Sequence, residues 1–193
     1  MKSLLLEKVA ELVTLTKKEE QILLDSFEYK KYPARTILLK EGEICNDNRF
    51  VISGILRNYS IDYNLAEHTM SFASSGWWMG DMYSFLSQKP GDSFIETIEE
   101  TELLTQTRQV QLRIFDEIPK MERFYRILIE RSLVSNQQRL RDNLTLSAEE
   151  RYLKFQERYA DIVYRVAQKD IASYLGITPQ FFSALKRRML KGE

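Results

Sequence analysis

The sequence predicts an α+β fold: an N-terminal antiparallel β-roll with flanking helices, a long helix, and a C-terminal winged-helix-like helix-turn-helix domain. Three observations predict it. Between residues 31 and 107, short β-rich runs alternate with turn signals roughly every ten residues, as in antiparallel sandwiches and barrels. Residues 120–144 contain no glycine or proline and indicate one long helix. Residues 168–190 indicate two short helices around one glycine.

The N-terminal helices are predicted over residues 3–27, where Thr16 and Glu19 form a capping-box pattern that opens the second helix. Pro33 ends this helical region. Strands are predicted at residues 36–39, 50–52, 55–61, 68–72, 94–98 and 103–107, and short helices at 82–86 and 111–118.

The long helix carries two apolar stripes, which indicates that it has two surfaces to cover. The stripes consist of Phe124, Ile127, Leu128 and Val134, and of Leu133, Leu140 and Leu144. We expect one stripe to pack on the roll of the same chain and the other to form a homodimer through residues 119–146. The alternative is a buried helix with one broad face, because Arg131, Ser135 and Gln138 interrupt the seam.

The long helix ends at a domain boundary, where Ser147 and Glu150 form another capping box. We therefore divide the chain into a sensor roll (1–118), a dimerisation helix (119–146) and a helix-turn-helix DNA-binding domain (147–193). The whole chain has zero net charge, but residues 151–193 contain nine basic and four acidic residues. A basic module on an acidic body suits phosphate binding at one end.

The C-terminal pattern carries specific turn chemistry. Ile171, Ala172 and Leu175 share one helical face, and Gly176 follows where a left-handed residue would end the helix. Thr178 can cap a second helix whose first position is Pro179.

The second helix of this pair has an apolar face of Phe182, Leu185 and Met189 and an opposite, polar face. That polar face consists of Gln180, Ala184, Arg187, Arg188 and Lys191. A helix that reads a DNA groove needs this arrangement, whereas the alternative is an ordinary helical hairpin with a solvated basic face. The candidate DNA-binding residues are Gln168, Lys169, Thr178, Gln180, Phe181, Ser183, Lys186, Arg187 and Arg188.

Composition excludes several other classes. Cys45 is the single cysteine and His68 the single histidine, so an intrachain disulfide, a cysteine-bound iron–sulfur cluster and a histidine-rich metal site are excluded. His68 has no paired nucleophile, and we expect no enzyme activity, no metal and no cofactor. No apolar run reaches membrane-spanning length and no signal peptide is evident, so we expect a cytoplasmic protein with no membrane partner.

The order of these elements resembles the Crp/Fnr family of bacterial transcription regulators, most specifically in residues 76–86, 146–152 and 168–183. The resemblance implies a cyclic-nucleotide-binding-like roll and a dimer joined by the long helix. It also implies that the last helix reads the major groove of double-stranded DNA, with RNA polymerase as a further candidate partner.

The roll departs from the nucleotide-binding members of that family, which carry Gly-Glu-Leu and a loop arginine that grips the cyclic phosphate. Here the first motif is Gly80-Asp81-Met82, and the loop offers Asp92 and Ser93 but no arginine. Losing that charge-assisted pair costs on the order of 1.5–3 kcal/mol, so we expect an effector other than cAMP, if there is one. The candidate effector pocket comprises Trp78, Met79, Gly80, Asp81, Asp92 and Ser93, with aromatic core as the alternative role of the tryptophans.

The second departure is Ala184, where many members of the family place an arginine that bonds guanine. Alanine cannot donate a hydrogen bond, which leaves Gln180 as a candidate adenine reader. We expect weaker or differently specified DNA binding than in an arginine-bearing relative. The alternative function is a ligand-sensing or protein-interaction module with weak or no specific DNA binding.

Overall fold

The computed structural model describes the backbone of residues 2–191 and the side chains of residues 3–190. The helices are α1 (Lys2–Ala10), α2 (Lys17–Asp25), α3 (Met82–Ser87), α4 (Arg108–Glu117), α5 (Lys120–Thr145), α6 (Ala148–Arg158), α7 (Gln168–Leu175) and α8 (Pro179–Lys191). The strands are β1 (Glu28–Tyr32), β2 (Ile37–Leu39), β3 (Asp47–Ser53), β4 (Leu56–Ile61), β5 (Glu67–Ala73), β6 (Trp78–Met79), β7 (Phe94–Thr97) and β8 (Thr101–Thr107).

The strands form two four-stranded sheets, ordered β1-β8-β3-β6 and β2-β7-β4-β5. The pairs β1–β8, β2–β7, β3–β6 and β3–β8 are antiparallel. This confirms the predicted antiparallel roll with flanking helices. The predicted capping boxes also form: Thr16 with Glu19 opens α2, and Ser147 with Glu150 opens α6.

Two strands were absent from the sequence prediction. β1 consists of charged and tyrosine residues that are at most half buried, so it lacks the apolar alternation of a strand. Its partner β8 decides its conformation, with Glu28 opposite Thr105 and Tyr32 opposite Thr101. β6 is only two residues long and pairs with Arg49 and Phe50 of β3.

The chain divides into two compact units, which are Met1–Asn58 with Phe72–Ser132, and Tyr59–Ser71 with Leu133–Glu193. The core of the first unit packs α1, α2, α4 and the start of α5 around Phe50 and Leu104 of the sheet. A second cluster, between strands, includes Val51, Leu56 and Leu103. The core of the second unit combines aromatic side chains of α6, α7 and α8 with aliphatic side chains of α7, α8 and the turns that precede α7.

The winged-helix part of the prediction is wrong for the described residues, because residues 148–191 contain no strand. Between α6 and α7 the chain instead makes tight turns, in which the Ile162 N–H bonds the Tyr159 carbonyl and the Arg165 N–H bonds the Ile162 carbonyl. Ile162 and Val166 are buried in these turns, so local packing replaces strand pairing. Among the described helices, none has the length and apolar character needed to cross a membrane.

Candidate nucleic-acid interface

α7 and α8 are joined by a turn that the sequence encodes locally. Gly176 ends α7 with φ of 69°, in the left-handed region that costs glycine least. The Ile177 N–H bonds the Ala172 carbonyl and the Gly176 N–H bonds the Ser173 carbonyl, which is the Schellman pattern. The Thr178 hydroxyl then accepts from the Phe181 N–H at 3.2 Å and caps α8. The predicted stop, turn and restart are all present.

The inner face of α8 is buried at Phe182 and Leu185, while Met189 near the end of the helix is half-buried. Phe182 is 0% and Leu185 1% exposed, and Ala172 of α7 is 0% exposed. The Phe182 ring meets Tyr152 of α6 edge-on, with ring centroids 4.9 Å apart and an angle of 81° between the planes. Edge-to-face contact is a favourable arrangement of aromatic rings, so this face fixes the rotation of α8 about its own axis.

The opposite face of α8 points to solvent. Gln180, Ala184, Arg187 and Arg188 are all exposed, and Arg187 donates through Nε to the Ser183 carbonyl at 3.4 Å. Phe181 flanks this face and is 48% exposed. The Lys191 side chain lies outside the described residues. We call Gln180, Ala184, Arg187 and Arg188 the outer face of α8.

The remaining candidate DNA-binding residues are not all on that face. Lys186 is half-buried, with Nζ 5.8 Å from the centre of the Phe182 ring, so it lies beside the inner face. Ser183 is also half-buried, and the hydroxyl of Thr178 is used in the helix cap. Gln168 and Lys169 are exposed in the first turn of α7. The fold thus brings Gln180, Arg187 and Arg188 together and directs Lys186 away from them.

A hydrogen-bonded connection that sequence reasoning missed joins the β4–β5 hairpin to α7. The Ser173 hydroxyl accepts from the Thr69 N–H at 2.9 Å and donates to the Glu67 carbonyl at 2.7 Å. Ser173 belongs to the predicted helix pair, but its sequence neighbourhood gives no sign of a partner more than 100 residues away.

Arg139 of α5 completes this connection. Its guanidinium donates to the carbonyls of Thr69 at 3.0 Å and Tyr174 at 3.1 Å, and also to that of Met70. It lies 4.1 Å from the centre of the Tyr174 ring. Burial lowers the pKa of the Arg139 guanidinium. The carbonyl groups that accept its hydrogen bonds fix the position of the side chain. An arginine in a polar helix segment carries no sequence signal for such a role.

In the roll, the acidic residue of the predicted effector pocket caps a helix. Asp81 is buried, and its Oδ1 accepts from the Ser84 N–H at 3.0 Å at the start of α3. A Cβ added at Gly91 would lie 2.2 Å from Asp81 Oδ2, so the loop that follows α3 lies directly against this carboxylate. The structure therefore gives Asp81 a role in positioning that loop.

The other predicted pocket residues are spread over different surroundings. Trp78 lies in the aromatic core, with ring centroids 5.1 Å from Phe50 and 5.5 Å from Tyr125, and Met79 is buried between strands. Gly80 lies close to Asn48. Asp92 is exposed and Ser93 half-buried. A roll cavity of about 480 Å³ is lined by other residues, namely Leu38, Leu39, Glu43, Ile44, Asn46, Asp47 and Arg49.

The single cysteine and the single histidine have ordinary structural partners. Cys45 is buried, with its sulfur 3.6 Å from Nη1 of Arg49. His68 Nε2 lies 2.8 Å from Oδ2 of Asp62 in the exposed β4–β5 hairpin. The described residues contain no group of three or more acidic, histidine or cysteine side chains that could hold a metal ion.

Comparison with known proteins finds a family model that matches the roll. Residues 29–117 match the family model of the cyclic nucleotide-binding domain. No curated protein sequence matches the chain.

Solved structures share the fold at low sequence identity. The c-di-GMP-responsive global regulator CLP of Xanthomonas campestris has 15% identity and a TM-score of 0.73, covering 92% of this chain and 93% of its own. FixK2 of Bradyrhizobium japonicum has 16% identity and a TM-score of 0.74, covering 86% of each chain. A regulator assigned to the Crp/Fnr family from Eubacterium rectale has 15% identity and a TM-score of 0.71, and the match covers 92% of this chain and 85% of that regulator. Residues 29–117 therefore match the cyclic nucleotide-binding domain, in a chain whose fold is shared with these bacterial proteins.

Proposed function

We propose that the chain is a dimeric, DNA-binding transcription regulator that reads a pseudo-palindromic operator through α8. In this proposal α7 and α8 form the helix-turn-helix, and the outer face of α8 enters the major groove. The observation that carries the proposal is the orientation of α8, whose inner face, with Phe182 and Leu185, is buried while Gln180, Arg187 and Arg188 are exposed. The structural neighbours that are regulators of gene expression support it.

The charge distribution supports the same function. The nine basic and four acidic residues of 151–193 lie in a chain with zero net charge, so positive charge is concentrated in the part that contains α8. Arginine guanidinium groups on an exposed helix face can donate two hydrogen bonds at once to a phosphate or to the edge of a base. Ala184 lies between Gln180 and Arg187 on this face and cannot donate to a base, so we expect base reading to depend on Gln180.

The proposed dimer forms through α5. Leu133, Leu140 and Leu144 are 57%, 64% and 80% exposed and share one side of the helix. Apolar residues at this spacing are typical of a helix that pairs with a second copy of itself. Two copies joined along α5 would present two outer faces to half-sites about one helical turn apart.

The DNA-binding test starts from duplexes selected from a random pool and measures their affinity by fluorescence anisotropy at several salt concentrations. Changing Arg187 and Arg188 together to glutamine should reduce the slope of the logarithm of affinity against the logarithm of salt concentration. The expected reduction is about 0.9 for each DNA phosphate that is no longer neutralised. The same change at Arg113, an exposed arginine of α4, is the matched control and should leave the slope unchanged. Failure to bind any duplex at ~50 mM salt would reject the proposal.

The dimer is tested by sedimentation equilibrium. Leu140→Glu places a charge in the seam and should yield a monomer, because a carboxylate buried between two helices lacks a partner. Leu153→Glu on α6 is the control, since Leu153 is 51% exposed and is not on α5. A dimer that survives Leu140→Glu as well as Leu153→Glu would show that the seam lies elsewhere.

We also propose that cAMP is not the effector. Asp81 is engaged in capping α3, Asp92 is exposed in the loop where a cyclic phosphate would sit, and residues 88–93 supply no arginine. Thermal unfolding with 1–10 mM cAMP should therefore show no stabilisation, whereas a bound ligand raises stability with concentration, by about 2.7 kcal/mol at 100 times its Kd. Any other effector of the roll would act by shifting the population of two arrangements of the chain.

A ligand-sensing or protein-interaction module is the second candidate function, and Ala184 on the outer face of α8 favours it. A protein partner retained with equal yield by the chain carrying Arg187→Glu and Arg188→Glu would show that this basic face is not the working surface. Loss of DNA binding in the same variant would instead support the first proposal.

A further inference from the structure

A groove in the second compact unit carries an unbalanced positive charge. Its volume is about 480 Å³, and it is lined by Ser135, Gln138, Arg139, Arg141, Asp142, Asn143, Arg151, Lys154, Phe155, Glu157, Arg158, Tyr174 and Leu175. Five of these side chains are cationic and two are carboxylates, which leaves a net charge of +3. The volume is within the usual range of small-molecule sites.

Two guanidinium groups in this groove bond neutral partners. Lys154 is matched by Asp142 at 2.8 Å, whereas Arg139 bonds backbone carbonyl groups and Arg151 bonds the Asn143 side chain at 3.5 Å. Nε of Arg139 and Nε of Arg151 are buried and have no hydrogen-bond partner among the described residues. Buried donors are normally paired. These two nitrogens have almost no accessible surface, so an acceptor in the groove reaches them only when the two side chains turn toward it.

A multiply charged oxyanion with an organic part suits the charge and the volume of this groove. A phosphate monoester carries about −1.5 to −2 charges at neutral pH and offers three acceptor oxygens, which suits two guanidinium groups. A carboxylate supplies only one charge. The groove volume of about 480 Å³ is far larger than inorganic phosphate, so a ligand that fills it needs an organic part.

The proposed dimer leaves the groove open. Gln138 and Asp142 line it from α5 and lie about 160° around the helix from Leu140, whereas Arg139 and Arg141 lie about 100° from it on either side. A second copy packed on the leucine seam would therefore leave Gln138 and Asp142 uncovered.

We propose that this groove binds a small organic phosphate, held by Arg139 and Arg151 with Arg141 at its rim. The site is separate from the roll and does not require the chain to bind DNA. Because Arg139 also donates to the Tyr174 carbonyl at the end of α7, a phosphate on its Nε would stiffen the attachment of α7 to α5.

The test is calorimetric titration of AMP, adenosine and inorganic phosphate into the full chain at low ionic strength, without DNA. AMP should bind more tightly than inorganic phosphate, and adenosine should give no binding. Arg151→Gln and the exposed-rim change Arg141→Gln should each weaken AMP binding, the former by about tenfold or more, as expected for one lost charge-assisted pair. Arg165→Gln, in the same unit but not in the groove, is the matched control and should bind AMP like the unchanged chain.

Far-UV circular dichroism identifies a variant that fails to fold, in which case Arg141→Gln, on an exposed side chain, decides the question. AMP binding that is equally strong in Arg151→Gln, Arg141→Gln and Arg165→Gln would overturn the proposal by placing the ligand elsewhere, including in the roll. No AMP binding together with weaker DNA binding by Arg151→Gln would also overturn it, because the groove would then hold a duplex phosphate.

Discussion

Phe182→Ala removes the side chain that fixes the rotation of α8. The ring is 0% exposed and meets Tyr152 edge-on at 4.9 Å. Truncating a fully buried phenylalanine costs about 3–5 kcal/mol of unfolding free energy, of which the edge-to-face pair accounts for about 0.5–1.5 kcal/mol. For a unit of this size that lowers the melting temperature by at least about 12 °C.

The neighbouring residue provides the control. Phe181 is 48% exposed, so Phe181→Ala should cost about 1 kcal/mol or less of unfolding free energy. Phe181 flanks the outer face of α8, so the same change should instead weaken duplex binding under conditions where the variant is folded. The two variants therefore separate a packing role from a binding role with one substitution type.

The assay is urea unfolding followed by far-UV circular dichroism, with the two variants and the unchanged chain at equal concentration. Phe182→Ala should lower the midpoint strongly and Phe181→Ala slightly. Equal losses in the two variants, or the larger loss in Phe181→Ala, would show that α8 is rotated from the orientation described. The assignment of Gln180, Arg187 and Arg188 to a solvent-facing surface would then be refuted.

Three further predictions concern the turn at Gly176, the capping box of α6 and the outer face of α8. Gly176→Ala should lower the unfolding free energy by about 1–2 kcal/mol in urea titrations, because alanine is strained at φ of 69°. A hydrogen bond from the backbone N–H of Ser147, and to a smaller extent one from its hydroxyl, holds the pKa of the Glu150 carboxyl below its usual range. The capping box should therefore contribute its full stabilisation of the folded chain above about pH 4.3, the pKa of this carboxyl in the unfolded chain. That contribution is lost as the pH falls through the lower pKa of Glu150 in the folded chain. The urea midpoint of the Glu150→Gln variant should therefore fall less on acidification than the midpoint of the unchanged chain. Ala184→Arg should raise the preference for guanine at one operator position by about 1–3 kcal/mol, measured by duplex selection, and an unchanged preference would mean that this position does not face a base.

Local signals made the C-terminal helix pair predictable. Gly176, Thr178 and Pro179 act through backbone conformation and a hydrogen bond three residues away, so their effects need no distant partner. The inner and outer faces of α8 follow from helical spacing in the same way. Lys186 was less predictable, because its flexible side chain lies over Phe182 at the border between the two faces.

The effector-pocket prediction relied on a short motif and could not anticipate its surroundings. Trp78 packs against Phe50 and Tyr125, residues that are distant in sequence, and Asp81 satisfies the start of α3. Both roles depend on which side chains the fold brings close. The same reason explains why β1 was missed, since its strand conformation depends on hydrogen bonds to β8.

The sequence by itself determined the helices, all strands except β1 and β6, the antiparallel roll, the capped helix starts and the two faces of α8, because periodicity and turn chemistry act over a few residues. Only the tertiary structure decided that Arg139 and Ser173 join the β4–β5 hairpin to α7 and that Arg139 and Arg151 leave donors unpaired in one groove. Those features arise from long-range packing, which sets the partners of a side chain and is not encoded in its neighbours along the chain.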